Sequence, residues 1–187
     1  MKALLRTDEE LLEQCRRGSD TAFRQLVQRY QQQVRATAVG MLGATSEAED
    51  VAQETFIRLF KSLEKFRGDA QLGTYLTRIA INLSLNALKK RQRQQQRFRI
   101  FQGNEPQIRQ VEDEGANPEH QDTKELVHKA LQELDTDFRS VIVLRLLDGY
   151  SVKETADILQ IPPGTVASRL ARGQLKLKAI LEKWQAF

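Results

Sequence analysis

The sequence predicts an all-α protein: two helical domains joined by a flexible linker, the C-terminal one containing a helix-turn-helix. Three observations carry this reading. Apolar residues recur at steps of three and four along almost the whole chain. One central stretch, residues 92–122, loses that period and is rich in Gln, Asp, Glu, Gly and Pro. No segment alternates apolar and polar residues for long enough to make a strand.

Taken in order, Thr7 and Glu10 form a capping box ahead of Leu11, Leu12 and Cys15, and Gly18 ends that short helix. A longer helix follows, with Phe23, Leu26, Val27, Tyr30, Val34, Ala38 and Met41 on one stripe, closed by Gly43. Ser46 with Glu49 reads as a second capping box, and Ala48, Ala52, Phe56, Leu59 and Leu63 point inward from the helix it starts. After a loop at 66–73, Leu76, Ile79, Ala80, Leu83 and Ala87 make the buried stripe of a fourth helix. Its outer face carries Arg78, Asn82, Asn86, Lys89 and Arg93.

Residues 94–122 are expected to be the linker between domains 1–93 and 123–187. Abundant charge and few apolar groups cannot offset the entropy of ordering that stretch. Phe98, Ile100 and Phe101 are apolar exceptions within it. The second domain opens with Leu126, Val127, Ala130, Leu131 and Leu134, continues through Phe138, Val141 and Ile142, and breaks at Asp148-Gly149. Ser151 and Glu154 form a third capping box. The helix it starts runs to Leu159, and Ile161-Pro162-Pro163-Gly164 then turns the chain into the last helix. That is the layout of a DNA-reading helix-turn-helix.

Composition narrows the function. The chain has 187 residues, 40% hydrophobic and 29% charged, and a net charge of +4. That total is modest, but the charge is segregated. Lys89, Lys90, Arg91, Arg93, Arg97 and Arg99 form one basic run; Arg169, Arg172, Lys176, Lys178 and Lys183 form another. A single cysteine, Cys15, excludes an internal disulfide and a Cys-rich zinc site, and two histidines make a metal site unfavoured. No cofactor or metal is expected. No secretory signal opens the sequence and no apolar run is long enough to span a membrane, so a cytoplasmic location is expected.

On the last helix Val166, Leu170, Leu177, Ile180, Leu181 and Trp184 make the core stripe. Thr165, Ser168, Arg169, Arg172 and Lys176 share the opposite face, where arginines can fork onto guanine. Base readers cluster near the N-terminus of such a helix, so base contact is expected of Arg169 and phosphate contact of Arg172. On the third helix Asp50, Gln53, Glu54 and Ile57 form an acidic face with an apolar residue inside it, which suits a protein contact better than DNA.

These segments resemble a known family. SEAEDVAQETFIRLFKSLEKF with LGTYLTRIAINLSLNALKKR is similar to the second conserved region of bacterial extracytoplasmic-function (ECF) sigma factors. FRSVIVLRLLDGYSVKETADILQIPPGTVASRLARGQLKL is similar to their fourth. The resemblance implies a dissociable subunit of RNA polymerase, without catalysis of its own, that selects and helps to melt promoters. It implies that Asp50, Gln53, Glu54 and Ile57 bind core polymerase. It puts the 66–72 loop, with Phe66, Arg67 and Asp69, at a flipped base of the −10 element, beside Arg78, Asn82, Asn86 and Lys89. A protein pocket offsets the few kcal/mol that a base costs on leaving the stack. Thr165, Ser168, Arg169, Arg172 and Lys176 match the helix that reads the −35 element. An anti-sigma factor, often membrane-anchored, is the implied regulator. Tyr75 stands where family members often have Trp, and Ala167 where many carry Arg or Lys. A stand-alone helix-turn-helix regulator is the alternative, and a nuclease or recombinase would need a carboxylate cluster or nucleophile not evident here.

Overall fold

The computed structural model describes residues 6–66, 68, 71–102 and 123–185. Among them the chain forms eight α-helices: α1 Asp8–Arg16, α2 Asp20–Leu42, α3 Ser46–Ser62, α4 Leu72–Gln102, α5 Thr123–Glu133, α6 Thr136–Ile142, α7 Val152–Leu159 and α8 Pro163–Gln185. A π-helical segment, Val143–Leu147, continues α6.

The first unit packs α1, α3 and α4 around α2. Its centre is Leu11, Leu26, Val34, Leu59, Leu76 and Ala80, all fully buried. Gly73 lets α4 close on α2: a Cβ there would lie 3.2 Å from the Tyr30 ring. The second unit packs α5, α6 and α7 against α8 over Leu131, Ile142, Val141, Ala156 and Val166. Gly173 brings α8 onto α6, where a Cβ would meet Ile142 at 3.2 Å and Phe138 at 3.3 Å.

Helix ends follow the expected chemistry at most points. The capping boxes of Thr7 with Glu10 and Ser151 with Glu154 are both formed. Gly18, Gly43 and Gly149 take positive φ at the expected breaks. The α3 cap differs. Thr45, not Ser46, caps the helix, its hydroxyl accepting from the Ala48 N–H, and Glu49 pairs instead with Arg35 at 2.7 Å. One residue of slip suffices, because Thr45 and Ser46 carry equivalent hydroxyls.

Two further differences concern α4. It continues to Gln102, so residues 94–102 of the expected linker are helical. Gln and Arg are good helix formers, and a helix already nucleated extends over them one hydrogen bond at a time. Residues 103–122 lie outside the described residues, as do the side chains of Ile100 and Phe101; Phe98 is exposed. The buried stripe is also turned. Thr77, Ile81 and Ser84 are fully buried with Leu76 and Ala80, whereas Ile79 and Leu83 are half-buried. The cause is the second unit, which packs on the side of α4 that carries Thr77 and Ile81.

Candidate nucleic-acid interface

The α3 face is presented much as its spacing predicts. Asp50 and Gln53 are exposed, and Glu54 is half-buried, holding Arg58 one turn on at 3.0 Å. Ile57 is 45% exposed. The sequence reading missed Phe60, which is 56% exposed, lies three residues beyond Ile57, and sits edge-on to Phe23 with ring centroids 5.2 Å apart. The i, i+3 spacing from Ile57 was the available signal. The result is an acidic helix face that runs into two uncovered apolar side chains.

The loop before α4 is anchored from behind. Phe66 is buried against Tyr75, ring centroids 4.9 Å apart, and Arg16 donates to the carbonyls of Phe66 at 2.6 Å and Leu63 at 3.2 Å. Tyr75 fills the expected core position, and its hydroxyl donates to Ser62 Oγ at 3.0 Å. Arg67 and Asp69 lie outside the described residues. Beside the loop lies an open cleft of about 610 Å³, with Asp8, Glu13, Arg16, Tyr30, Phe66 and Gln71 among its lining residues. Asp8 accepts hydrogen bonds from Arg29 and from the Tyr30 hydroxyl. Burial first, and then Asp8, holds the Tyr30 phenol well above its ordinary value.

On α4, Asn82, Asn86 and Lys89 are exposed on one side. Arg78 is not free with them. Its Nη2 donates to the Asp157 carbonyl at the end of α7, at 3.0 Å, and its Nε is buried without a partner. The second unit thus reaches one of the four residues expected on this face.

In the helix-turn-helix, α7 ends on Gln160 with left-handed φ of 55°. Ile161 N–H bonds back to the Ala156 carbonyl at 3.1 Å, and Pro163 opens α8. Proline suits that place, since the first helical N–H has no partner to lose. Val166 is fully buried against Val141 and Ala156, which sets the angle of α8. Ser168, Arg172 and Lys176 are exposed and Thr165 and Arg169 half-buried, so the expected face is together. The two arginines differ. Arg169 Nη2 meets Asp137 of α6 at 2.5 Å, whereas Arg172 has no ion pair among the described residues. Lys176 sits over the Phe138 ring at 5.2 Å and 3.4 Å from Asp135. Among the described residues no helix is long and apolar enough to cross a membrane, and no group of three or more His, Cys, Asp or Glu is placed to hold a metal ion.

Two family models match the chain. Residues 26–94 match sigma-70 region 2 and residues 124–177 match sigma-70 region 4. The chain is 33% identical over 182 residues to the RNA polymerase sigma-H factor of Pseudomonas aeruginosa, covering 94% of each chain. It is 35% identical over 185 residues to the ECF RNA polymerase sigma-E factor of Escherichia coli, covering 90% of this chain and 91% of that one. The fold is like that of the sigma factor RpoE bound to the anti-sigma factor NepR from Bartonella quintana: TM-score 0.68, 24% identity, 86% of this chain and 96% of that one. It is also like CnrH bound to the cytosolic domain of CnrY: TM-score 0.64, 26% identity, 94% and 97% covered. With both sigma regions in order and sigma-factor relatives matched over nearly its full length, the chain belongs to the ECF class of RNA polymerase sigma factors, which bind core polymerase and direct transcription initiation at promoters.

Proposed function

We propose that this sigma factor divides its work between three faces. The α3 face of Asp50, Gln53, Glu54 and Ile57 docks on core polymerase. The 66–72 loop, with Phe66, Arg67 and Asp69, and the outer side of α4, with Arg78, Asn82, Asn86 and Lys89, take the −10 element. Thr165, Ser168, Arg169, Arg172 and Lys176 of α8 read the −35 element. The observation that carries this reading is the separation of chemistries. The α3 face of Asp50, Glu54 and Ile57 is acidic and apolar and suits a protein better than phosphate, whereas Lys89 on α4 and Arg172 and Lys176 on α8 are exposed cations beside polar side chains. Bond making stays with the polymerase, and the chain contributes selection and melting. We place it in the cytoplasm. An anti-sigma partner, membrane-anchored or not, is its expected regulator; the complex of CnrH with a cytosolic domain of CnrY supports such pairing.

Asp50→Ala with Glu54→Ala tests the first face. Both side chains reach solvent, so stability should change by no more than about 0.5 kcal/mol. Affinity for core polymerase should fall at least several-fold in a fluorescence titration. Unchanged affinity removes the assignment. Run-off transcription with core polymerase on a randomised promoter library reads the two DNA faces together.

A further inference from the structure

The two sigma regions are packed on each other through contacts that neither the motifs nor the function accounts for. At one end, the α5–α6 corner caps the C-terminus of α2. Arg139, 6% exposed, donates to the Met41 carbonyl at 2.6 Å, and Gln132 donates to the Gly40 carbonyl at 3.3 Å. Those carbonyls belong to the last turn of α2, which has no partners of its own there. At the other end, the turn after the π-helical segment enters a notch between α2 and α4. Asp148 meets Thr37 Oγ1 at 2.9 Å; Tyr150 donates to Thr77 Oγ1 at 2.9 Å and accepts from Gln33 Nε2 at 2.9 Å.

Between these ends the seam is apolar and buried. Ala38, Met41 and Ile81 of the first unit form one buried cluster with Val143, Leu144 and Ile158 of the second. Gly40 lets the backbones meet: a Cβ there would lie 3.0 and 3.2 Å from the two methyls of Val143 and 3.5 Å from Leu147. A fully buried cluster flanked at both ends by hydrogen bonds has the character of a built interface, not a loose encounter. The seam also holds Arg78, whose guanidinium donates to the Asp157 carbonyl.

We propose that the region 4 unit is a built-in inhibitor of region 2: docked along this seam, it withholds Arg78 from DNA until the seam opens. The inference rests on the reading of α4 as a DNA face, but the docking itself does not. Opening exposes the Ile81–Val143–Ile158 cluster, so the open form gains stability only when polymerase and DNA hold the two units apart.

Gly40→Glu is the test. The nearest atoms to a side chain at this position all belong to the second unit, and Glu is a better helix former than Gly, so α2 itself is not harmed. In small-angle scattering of the full chain, the wild type should be compact, with a radius of gyration near about 16–20 Å. The variant should be larger by about 4 Å or more at unchanged helical ellipticity. In a Cys15→Ala background, a cysteine placed by Arg78→Cys should react with a thiol reagent at least tenfold faster when Gly40→Glu is added. Binding of a fluorescein-labelled mixed-sequence single-stranded 20-mer should tighten at least threefold in Gly40→Glu, and that gain should vanish with Arg78→Ala. A second opening variant, Thr37→Val with Tyr150→Phe, conserves volume and removes latch hydrogen bonds; it should expand the chain in the same direction. Unchanged size and thiol rate in both variants overturn the docking. Expansion without tighter DNA binding overturns the inhibition. Expansion with no DNA or core binding by any form overturns the inhibition and the proposed function together, since scattering reads the seam without either partner.

Discussion

Arg169 and Arg172 lie about one turn apart on α8, but only one of them is engaged. Arg169 is held by Asp137, and a guanidinium so paired must leave its carboxylate to reach a base edge. A half-exposed pair of this kind is worth only about 0.2–1 kcal/mol, less than the roughly 1–3 kcal/mol of a bidentate contact to guanine. A base contact of that size would outcompete the pair. Arg169→Ala should lower −35-dependent transcription and relax preference at one or two positions of a randomised element. Asp137→Ala should act with the opposite sign, tightening binding by freeing the arginine and removing a negative charge near phosphate. Arg172, without such a tether, should behave as a phosphate contact: Arg172→Ala weakens binding across sequences and lowers the salt slope by about one. Equal effects of Arg169→Ala and Arg172→Ala on every promoter in the library would refute this division.

At the scale of elements, caps decide where the working helices begin. Thr45 holds the Ala48 N–H at 3.3 Å, whereas Ser46 is already inside α3. Thr45→Ala should cost about 1 kcal/mol and Ser46→Ala no more than about 0.5 kcal/mol, read by urea unfolding. The reverse order would place the cap on Ser46, where sequence spacing first puts it. The same reasoning extends to α7, whose capping box at Ser151 and Glu154 sets the start of the helix that supports α8. Hydrogen bonds from the Ser151 hydroxyl and backbone hold the Glu154 carboxyl below its ordinary value.

The whole molecule carries a pH dependence at the seam between its units. Thr37 has one proton to give and lies within reach of two acceptors, the Gln33 carbonyl at 3.1 Å and Asp148 at 2.9 Å. A protonated Asp148 resolves this by donating to Thr37, leaving the threonine proton for Gln33. Burial, opposed by the Thr37 bond, raises the Asp148 carboxyl from 3.8 to about 6 in the closed form. The closed form then binds a proton that the open form releases, so closure weakens as pH rises from about 4 and has lost this contribution above about 6. Tyr150, the neighbouring titratable group, is raised by burial and stays neutral over that range. Scattering should find the chain more closed at pH 5 than at pH 8, and Asp148→Asn should remove the difference. A wild type equally compact at both values would dismiss Asp148 as the proton-linked group.

Much of this was legible in the residues. Local chemistry specifies the helices, because a cap acts over three residues and an apolar stripe over one turn. Thr7, Ser151, Gly18, Gly43 and the Pro-Pro-Gly turn announce their elements without help from the rest of the chain. The faces of α3 and α8 were legible for the same reason: residues that share a face of a helix are set by its period alone. Contacts between distant segments have no such local signal. Thr77 and Ile81 read as polar and apolar residues off the main stripe of α4, and only packing of the second unit made them core. Gln33, Thr37, Asp148 and Tyr150 are unremarkable in sequence, separated by up to 117 positions, and become a latch through the approach that Gly40 permits. Sequence by itself determined the helices, which residues share each face, and the family. Tertiary structure decided which of those faces are covered, because burial between separate helical units depends on the sum of many weak contacts rather than on any one residue's preference.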